Sequence, residues 1–295
     1  MQSPVQVVFL LRPKTRGDLL AAAAFASIVF ITTPFLLPAV SQDYEVRLGT
    51  ASLVSTTQLA GFVVASWTVG RLVDPSRRLL VLALCAASAC NALSAATPWF
   101  TVLLGLRALT GASLAVLAWL GWQEVFGDDD RMGDVAVVGP VMGIVGAPAA
   151  SVLAQRYGAD GIFLTLAGLA LVPLLIKAPP RDLSANAPRK ANRSKPLPVT
   201  RVILASLGLT TLGGSAVVVF GAAIGADRVG LDPTVVALAF SANALVGIPA
   251  ARYRGARPYA GAWFLITALL AIVLTNVTLG PVFWLAITAW GFAFW

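Results

Sequence analysis

Histidine is absent from this sequence of 295 residues, and cysteine occurs only twice, as Cys85 and Cys90. The two cysteines lie five residues apart in one apolar segment, so on a helix they point to different faces. This spacing argues against a disulfide and against a metal site. The sequence also contains no glycine-rich phosphate-binding loop and no nucleophile paired with a base. We therefore expect no metal, no cofactor and no enzymatic activity.

Charged side chains are scarce as well. They make up 12% of the residues, against 58% that are hydrophobic, and the mean hydropathy is +0.84. Soluble domains carry roughly a quarter charged residues, so the composition predicts an all-α polytopic membrane protein embedded in a lipid bilayer. The basic excess, 21 Lys and Arg against 13 Asp and Glu, lies in short loops between apolar segments. It therefore indicates orientation in the membrane rather than nucleic-acid binding.

Apolar segments of membrane-spanning length follow one another along the chain. A spanning helix needs about 20 mostly apolar residues. This length predicts ten spans, at residues 19–40, 52–69, 79–96, 100–122, 135–154, 158–176, 202–224, 233–251, 259–277 and 281–295. The tenth span is still apolar where the sequence stops, so we expect a chain that is incomplete at its C-terminus.

Basic residues concentrate in alternate loops. Residues 1–17 form an arm with three bases and no acid, and residues 177–201 hold seven bases against one acid. The positive-inside rule places such segments in the cytoplasm, which predicts a multi-pass protein of the plasma (inner) membrane with a cytoplasmic N-terminus. The loop at 124–134 is acidic instead. It is either a solvated loop or a partner for Arg77 and Arg78 in one conformational state.

The longest polar break divides the spans into two groups. A basic linker at 178–200, rich in Pro, Asn and Ser, follows the sixth span, and such a composition is typical of a flexible connection. We expect an N-terminal half of six helices at 18–177 and a C-terminal half at 201–295 that contains four spans. This is the layout of two halves related by an axis along the membrane normal.

Short motifs lie on the loop after the second span, on the fourth span and on the fifth span. The loop contains, as Gly-x-Leu-x-Asp-x-x-Arg-Arg, residues Gly70, Leu72, Asp74, Arg77 and Arg78. The fourth span carries, as Arg-x-x-x-Gly, residues Arg107 and Gly111. The fifth span carries Gly139, Pro140, Gly143 and Gly146. Glycine and proline in a membrane helix permit close helix approach and a bend.

Together with the division of the spans, these motifs resemble those of the major facilitator superfamily of secondary transporters. The resemblance covers the whole chain and implies a fold of two six-helix halves, usually with twelve spans, so that the second half here lacks two helices. The loop departs from the superfamily's signature in lacking its second glycine, where Arg77 stands or a residue is deleted. The fifth-span motif is similar to a pattern typical of the superfamily's exporters.

The resemblance implies that the loop from Gly70 to Arg78 is a conformational switch. Asp74 would face the start of an eleventh helix across the two halves and hold one alternating-access state, since a helix N-terminus favours a carboxylate. The alternative is local: Asp74 caps the third helix and pairs with Arg77 or Arg78. For a chain without the last helices the local alternative is favoured.

Arg107 is the one charge several residues inside a span, where a buried base is costly and normally has a partner or a function. Its function would be to bind an anionic or zwitterionic substrate group or, as the resemblance implies, to take part in proton coupling. Alternatively it snorkels or bonds a backbone carbonyl. No acid lies in mid-membrane, which predicts either facilitated movement or coupling to protons through an edge acid such as Asp18, Glu124 or Asp134.

Neutral polar residues on the spans are further candidates for a substrate site. Gln58 and Asn243 come first, because we expect that an amide side chain cannot satisfy itself on its own helix backbone. Thr33, Ser113 and Thr211 follow, although Ser and Thr in a span more often bond their own helix. Tryptophan and phenylalanine side chains on the spans would stack on a substrate.

These observations favour secondary active or facilitated transport of a small organic solute by alternating access, with export as the favoured direction. Import of a nutrient or metabolite is the alternative within the same fold. A non-transporting membrane sensor or a degenerate transporter fragment is the alternative from another class. We expect a monomer.

Overall fold

The structure, a computed structural model, describes residues 15–176, 197–252 and 260–294, and every regular element within these ranges is a helix. In chain order the helices are α1 (Gly17–Asp43), α2 (Leu48–Ala51), α3 (Leu53–Leu72), α4 (Arg77–Ala96), α5 (Phe100–Val125), α6 (Asp129–Leu169), α7 (Val172–Leu175), α8 (Pro198–Ala223), α9 (Pro233–Arg252), α10 (Ala260–Asn276) and α11 (Gly280–Phe294). A π-helical segment, Ile224–Arg228, continues α8. The predicted all-α fold is confirmed for the described residues.

Within the described ranges, six helices are long and apolar enough to cross a membrane by length and composition. They are Gly17–Asp43, Leu48–Leu72, Arg77–Ala96, Phe100–Val125, Arg131–Leu175 and Pro233–Ala251. Shorter apolar helices follow at Gly261–Asn276 and Gly280–Phe294. These helices indicate a multi-pass membrane protein, whereas the count of ten spans and the missing C-terminal helices stay predictions.

Helix α6 contains the turn between the predicted fifth and sixth spans. Its backbone breaks at Gly158, where φ is +62°, a left-handed conformation that glycine adopts without strain. Residues 142–153 and 162–169 line one groove together, so the limbs before and after the break fold back on each other. Asp43 at the end of α1 caps the second limb, because its Oδ2 accepts a hydrogen bond of 2.9 Å from the N–H of Ala159.

Tyr44, next to this cap, ties the same end of the molecule to the segment before α5. Its hydroxyl donates to the carbonyl oxygen of Thr97 over 2.6 Å, and its ring lies edge-on to that of Phe100 with the centroids 5.8 Å apart. Burial, and then the charges of Asp160 and Asp43, raise the pKa of Tyr44 above its ordinary value. The hydroxyl therefore keeps its proton, and its hydrogen bond, at physiological pH.

Removing the Asp43 cap is expected to destabilise the protein. Asp43→Ala leaves the N–H of Ala159 without its acceptor and should lower the free energy of unfolding by about 1–2 kcal/mol. Asp43→Asn keeps an acceptor oxygen in the same place and should retain most of this stability. Thermal unfolding of the two variants in detergent, measured as Tm, checks the order. A Tm for Asp43→Ala equal to that of the parent would show that the cap contributes nothing.

Helices α1 to α7, called here the N-terminal bundle, pack around one apolar core. Its centre includes Phe25, Leu37, Leu114 and Phe163, each at most 2% exposed. Helix α1 packs most extensively against α6, and α3 against α5. Helix α1 is thus enclosed by its neighbours, whereas α3 lies at an edge of the bundle and leaves Val64 64% exposed.

Helices α8 to α11, called here the C-terminal bundle, share their apolar core with the N-terminal bundle. This second core contains Val236, Phe283 and Trp290 together with Phe35 of α1 and Ala147 of α6. The two bundles are therefore joined by buried apolar side chains, and the interface has the character of a domain interior.

The most extensive contact between the bundles is the crossing of α6 and α9. A Cβ added to Gly143 would lie 2.7 Å from the Cβ of Ala244, so the absence of a side chain at this position sets the helix separation. Beside it, the hydroxyl of Ser241 donates to the carbonyl oxygen of Ile144 over 2.8 Å. Gly143, predicted to permit close helix packing, thus lies at the contact between the bundles.

Candidate functional site

Arg107 on α5 is the least exposed charged residue of the described part of the chain, at 1%. Its Nη1 donates to Oδ1 of Asn91 over 2.8 Å, and its Nη2 donates to Oε1 of Gln58. The guanidinium carbon lies 5.3 Å from the ring centroid of Phe163. These partners stand on α4, α3 and the second limb of α6, so one side chain connects four helices of the N-terminal bundle.

The Arg-x-x-x-Gly motif explains how Gln58 comes within reach. Its spacing places Arg107 and Gly111 one turn apart on the face of α5 that meets α3. A Cβ added to Gly111 would collide with the backbone carbonyl of Gln58, and a Cβ added to Gly61 of α3 would collide with that of Ala108. Each helix therefore offers a glycine notch to the other, and the close crossing brings the amide of Gln58 to Arg107.

Neutral amide oxygens, and no carboxylate of the described residues, hold the guanidinium of Arg107. Its Nε has no hydrogen-bond partner in the same part of the chain. A buried charge that is only partly compensated is costly. The partners are side chains, so the alternative of a bond from Arg107 to a backbone carbonyl is not observed in the described residues. Arg107 and Gln58 lie together inside the N-terminal bundle, and neither is among the residues that line two cavities between the described parts of the bundles.

Asn91 is a partner of Arg107 that the sequence analysis did not single out. Its Nδ2 donates to the carbonyl oxygen of Ala87 on its own helix over 2.8 Å, which leaves Oδ1 for Arg107. The expectation that an amide in a span cannot bond its own helix is therefore wrong for this residue. An amide inside an apolar segment is the signal that would have found it, since the same signal selected Gln58 and Asn243.

A cavity of about 250 Å³, called here the central cavity, lies between the two bundles. Helices α1, α6, α8, α9 and α11 all contribute to its lining. Predicted site residues that line it together are Gly139, Pro140, Gly143 and Asn243. The Nδ2 of Asn243 donates to the carbonyl oxygen of Ile287 over 2.6 Å, which fixes the amide between α9 and α11. Three residues of the fifth-span motif and Asn243 thus meet at one void, although they are about a hundred residues apart in sequence.

A second cavity of about 350 Å³, called here the distal cavity, lies between the bundles near the end of α1. It is more polar, since Gln42, Gln155 and Asp227 line it. The Nε2 of Gln155 donates to the hydroxyl of Ser151 over 3.0 Å.

An aromatic contact separates the two cavities. Phe35 of α1 lines the distal cavity, Phe240 of α9 lines the central cavity, and their rings meet edge to face with the centroids 5.8 Å apart. Pro34 lines both cavities, and a Cβ added to Gly221 of α8 would lie 2.7 Å from the ring of Phe240. The ring of Phe240 is therefore in contact with both α1 and α8.

The remaining substrate candidates lie elsewhere. The hydroxyls of Thr33 and Ser113 each donate over 3.1 Å to the carbonyl oxygen four residues earlier on their own helices, and neither residue lines the central or the distal cavity. Thr211 is on α8, but its side chain lies outside the described residues. Gly146 faces Ile31 of α1, which would be 3.3 Å from an added Cβ.

The motif from Gly70 to Arg78 runs from the last turn of α3 to the first turn of α4 and is mostly exposed, although Pro75 within it is buried. A Cβ added to Gly70 would lie 3.0 Å from Nε1 of Trp119, so Gly70 packs beneath that ring. Leu72 is 78% exposed. The guanidinium of Arg71 stacks over the ring of Trp67 at 4.1 Å from its centroid. The start of the motif thus contacts α5, whereas Leu72, Asp74, Arg77 and Arg78 are exposed.

Ser76, rather than Asp74, caps α4, because its hydroxyl accepts a hydrogen bond of 3.2 Å from the N–H of Leu79. Asp74, Arg77 and Arg78 are exposed, and the described residues include no ion-pair partner for Asp74 within 4 Å. The local alternative for Asp74, a cap combined with an ion pair, is therefore not observed here. The role of this loop as a switch stays a prediction.

The edge acids named as coupling candidates are buried and have polar partners. Their partners are Arg16 for Asp18 at 2.8 Å, Arg131 for Glu124 at 3.9 Å, and the hydroxyl of Thr15 for Asp134 at 3.5 Å. Arg131 also pairs with Asp128 at 3.2 Å. Among the described residues the acidic loop therefore pairs with Arg131, and pairing with Arg77 or Arg78 is not observed.

The sequence model of the Major Facilitator Superfamily matches residues 19–295. Two solved structures similar to the chain are crystal structures of a bacterial homologue of the human lysosomal transporter Spinster, both inward-facing. The occupied form has a TM-score of 0.64 and 12% identity over 100% of this chain and 73% of that one. The unoccupied form has a TM-score of 0.57 and 14% identity, over 100% of this chain and 74% of that one. At these identities the likeness concerns the fold alone. No curated protein matches the chain.

Proposed function

The chain belongs to the major facilitator superfamily, and on that premise we propose that it moves a small organic solute across a membrane by alternating access. The observation that carries the proposal is the central cavity, because both bundles line it: Ser27 and Gly139 on one side, Asn243 and Trp290 on the other. A solute bound there contacts both bundles. Rocking of one bundle against the other would then change the side from which the cavity is open.

The finer features of the proposal rest on the sequence: the charges of its loops and the motif on its fifth span. The protein is a monomer of the plasma (inner) membrane with its N-terminus in the cytoplasm, and it exports its solute. Movement is either facilitated or coupled to protons, with Asp18, Glu124 and Asp134 as the coupling candidates. Arg107 and Gln58 would act in coupling through the packing of the N-terminal bundle, since they do not line the central cavity. Import through the same cavity is the alternative within the family.

A membrane sensor or a degenerate transporter fragment is the alternative from another class, and accessibility of the central cavity distinguishes it from a transporter. In a chain with Cys85→Ala and Cys90→Ala, the variant Ser27→Cys places one thiol in the cavity lining. Alternating access predicts that a membrane-impermeant methanethiosulfonate labels this thiol from outside in intact cells and from the cytoplasmic side in inside-out vesicles. The reagent is charged, but it keeps its hydration because the cavity is filled with water whenever it is open to one side.

Ser94→Cys in the same background is the matched control, since Ser94 is fully buried in the N-terminal bundle and should react from neither side. Labelling of Ser27→Cys from one side only, under all conditions tried, would contradict transport and favour the sensor. Solute flux into and out of liposomes then gives the direction, because accumulation on the side opposite the cytoplasmic face supports export.

A further inference from the structure

The central cavity is lined almost entirely by apolar and aromatic side chains. Phe30, Phe240, Trp290 and Phe294 present four aromatic rings to it, from α1, α9 and α11. No charged side chain occurs among the lining residues that the structure describes, and the polar side chains there are those of Ser27, Asn243 and the indole of Trp290. Such a lining favours a ligand with a flat apolar body, which would stack against the rings.

Several hydrogen-bonding groups of these lining side chains are already paired within the protein. The hydroxyl of Ser27 donates to the carbonyl oxygen of Ala23 over 2.9 Å, and Nδ2 of Asn243 donates to that of Ile287. The amide of Asn243 also fits into a notch at Gly291, where an added Cβ would come within 2.5 Å of its Cγ. Oδ1 of Asn243 forms no hydrogen bond with the described residues, so it remains as an acceptor for a ligand donor.

The indole N–H of Trp290 is buried without a hydrogen-bond partner in the described part of the chain. Its ring is stacked on Phe294 with the centroids 4.7 Å apart. A buried donor of this kind is unfavourable unless an acceptor reaches it. A neutral donor on a ligand would therefore suit Oδ1 of Asn243, and a neutral acceptor would suit the indole N–H of Trp290.

We infer that the solute of the central cavity is an uncharged aromatic or lipophilic molecule with a single neutral hydrogen-bonding group, and not a sugar, an amino acid or an organic anion. The inference rests on the proposed function for its transport step, but the binding site itself is argued from the lining alone. A charge entering this cavity would lose its hydration without gaining an ionic partner among the described lining residues. A polyol would leave most of its hydroxyls unpaired, because the lining offers few partners.

The test compares two fluorescent probes of the same aromatic skeleton. N-phenyl-1-naphthylamine is neutral and carries one N–H, whereas 1-anilinonaphthalene-8-sulfonate adds a negative charge. Each is titrated into the full chain in lipid nanodiscs, with empty nanodiscs subtracted. We expect saturable binding of the neutral probe with an affinity at least about tenfold higher than that of the sulfonate.

Variants identify the cavity as the site of binding. Val218→Phe fills the central cavity from α8 and should lower the affinity for the neutral probe by at least about tenfold. Val64→Phe, the same change on the exposed face of α3, should leave that affinity unchanged. Ser27→Phe fills the cavity from α1 and replaces Val218→Phe if the latter is not monodisperse. Asn243→Leu should lower the affinity for N-phenyl-1-naphthylamine but not that for 1-phenylnaphthalene, which lacks the N–H.

The inference is overturned if the sulfonate binds as tightly as the neutral probe at a site sensitive to cavity filling. It is also overturned if neither filled variant changes binding of the neutral probe. The result is separable from that of the proposed function. Labelling of Ser27→Cys from both sides without such binding would refute the solute class and retain transport. Binding of the neutral probe in the cavity, together with labelling of Ser27→Cys from one side only, would retain the proposed solute class and refute transport.

Discussion

Gly111→Ala is expected to destabilise the protein by roughly 3 kcal/mol, toward the upper end of the effects seen when a packed core is overfilled. The added methyl would collide with the backbone carbonyl of Gln58. A backbone group on a neighbouring helix cannot turn aside as a side chain can, so α3 and α5 have to separate. Their separation would also withdraw the amide of Gln58 from Arg107. The free energy of unfolding, measured by denaturant titration in mixed micelles, checks the prediction.

Gly105→Ala provides the matched control on the same helix. Gly105 is exposed, and nothing lies within 4 Å of the position that its Cβ would take. This variant should be neutral or up to about 1 kcal/mol more stable, since alanine has the higher helix propensity. If the two alanine variants had equal stability, the glycine notch would not determine the helix crossing.

Arg107→Leu is expected to lower the free energy of unfolding by roughly 2–4 kcal/mol, because it leaves two buried amide oxygens without a donor. These are Oε1 of Gln58 and Oδ1 of Asn91. The loss arises from the orphaned partners, so it should be recovered when they are removed too. The triple variant Arg107→Leu, Gln58→Leu, Asn91→Leu should regain at least half of the lost stability, since an apolar replacement of a whole polar cluster is often nearly neutral.

The triple variant also separates a structural from a functional role of Arg107. If stability returns and Ser27→Cys is still labelled from both sides of the membrane, the cluster serves packing alone. If stability returns but labelling is confined to one side, Arg107 contributes to the conformational change. A single variant Arg107→Leu as stable as the parent would refute the argument from the orphaned oxygens.

The sequence predicted helices well because long apolar segments need only composition and length to be recognised. It placed the break between the fifth and sixth spans close to Gly158, where the structure has it. The π-helical segment Ile224–Arg228 was not predicted, since it depends on contacts remote in sequence. A Cβ on Gly225 there would lie 2.7 Å from Val236 of α9 and 3.1 Å from Phe283 of α11.

The candidate site was only partly accessible to sequence reasoning. Arg107 and Gln58 stand out because a charge or an amide in an apolar span needs a partner, and the structure brings them together. The lining of the central cavity did not stand out in the same way. Phe30 and Val218 lie on helices that are apolar on most faces, so no periodic pattern distinguishes a cavity face from a lipid face. Only the tertiary packing makes that distinction.

The shared second core has a consequence for how the chain is built during synthesis. Phe35 and Ala147 belong to segments that leave the ribosome early, yet they complete an interior most of whose other members are made later. The earlier helices possess an interior of their own and can assemble while translation continues. The later ones have to settle on a surface already in the membrane, which serves as their template, so biogenesis proceeds in one direction along the polypeptide.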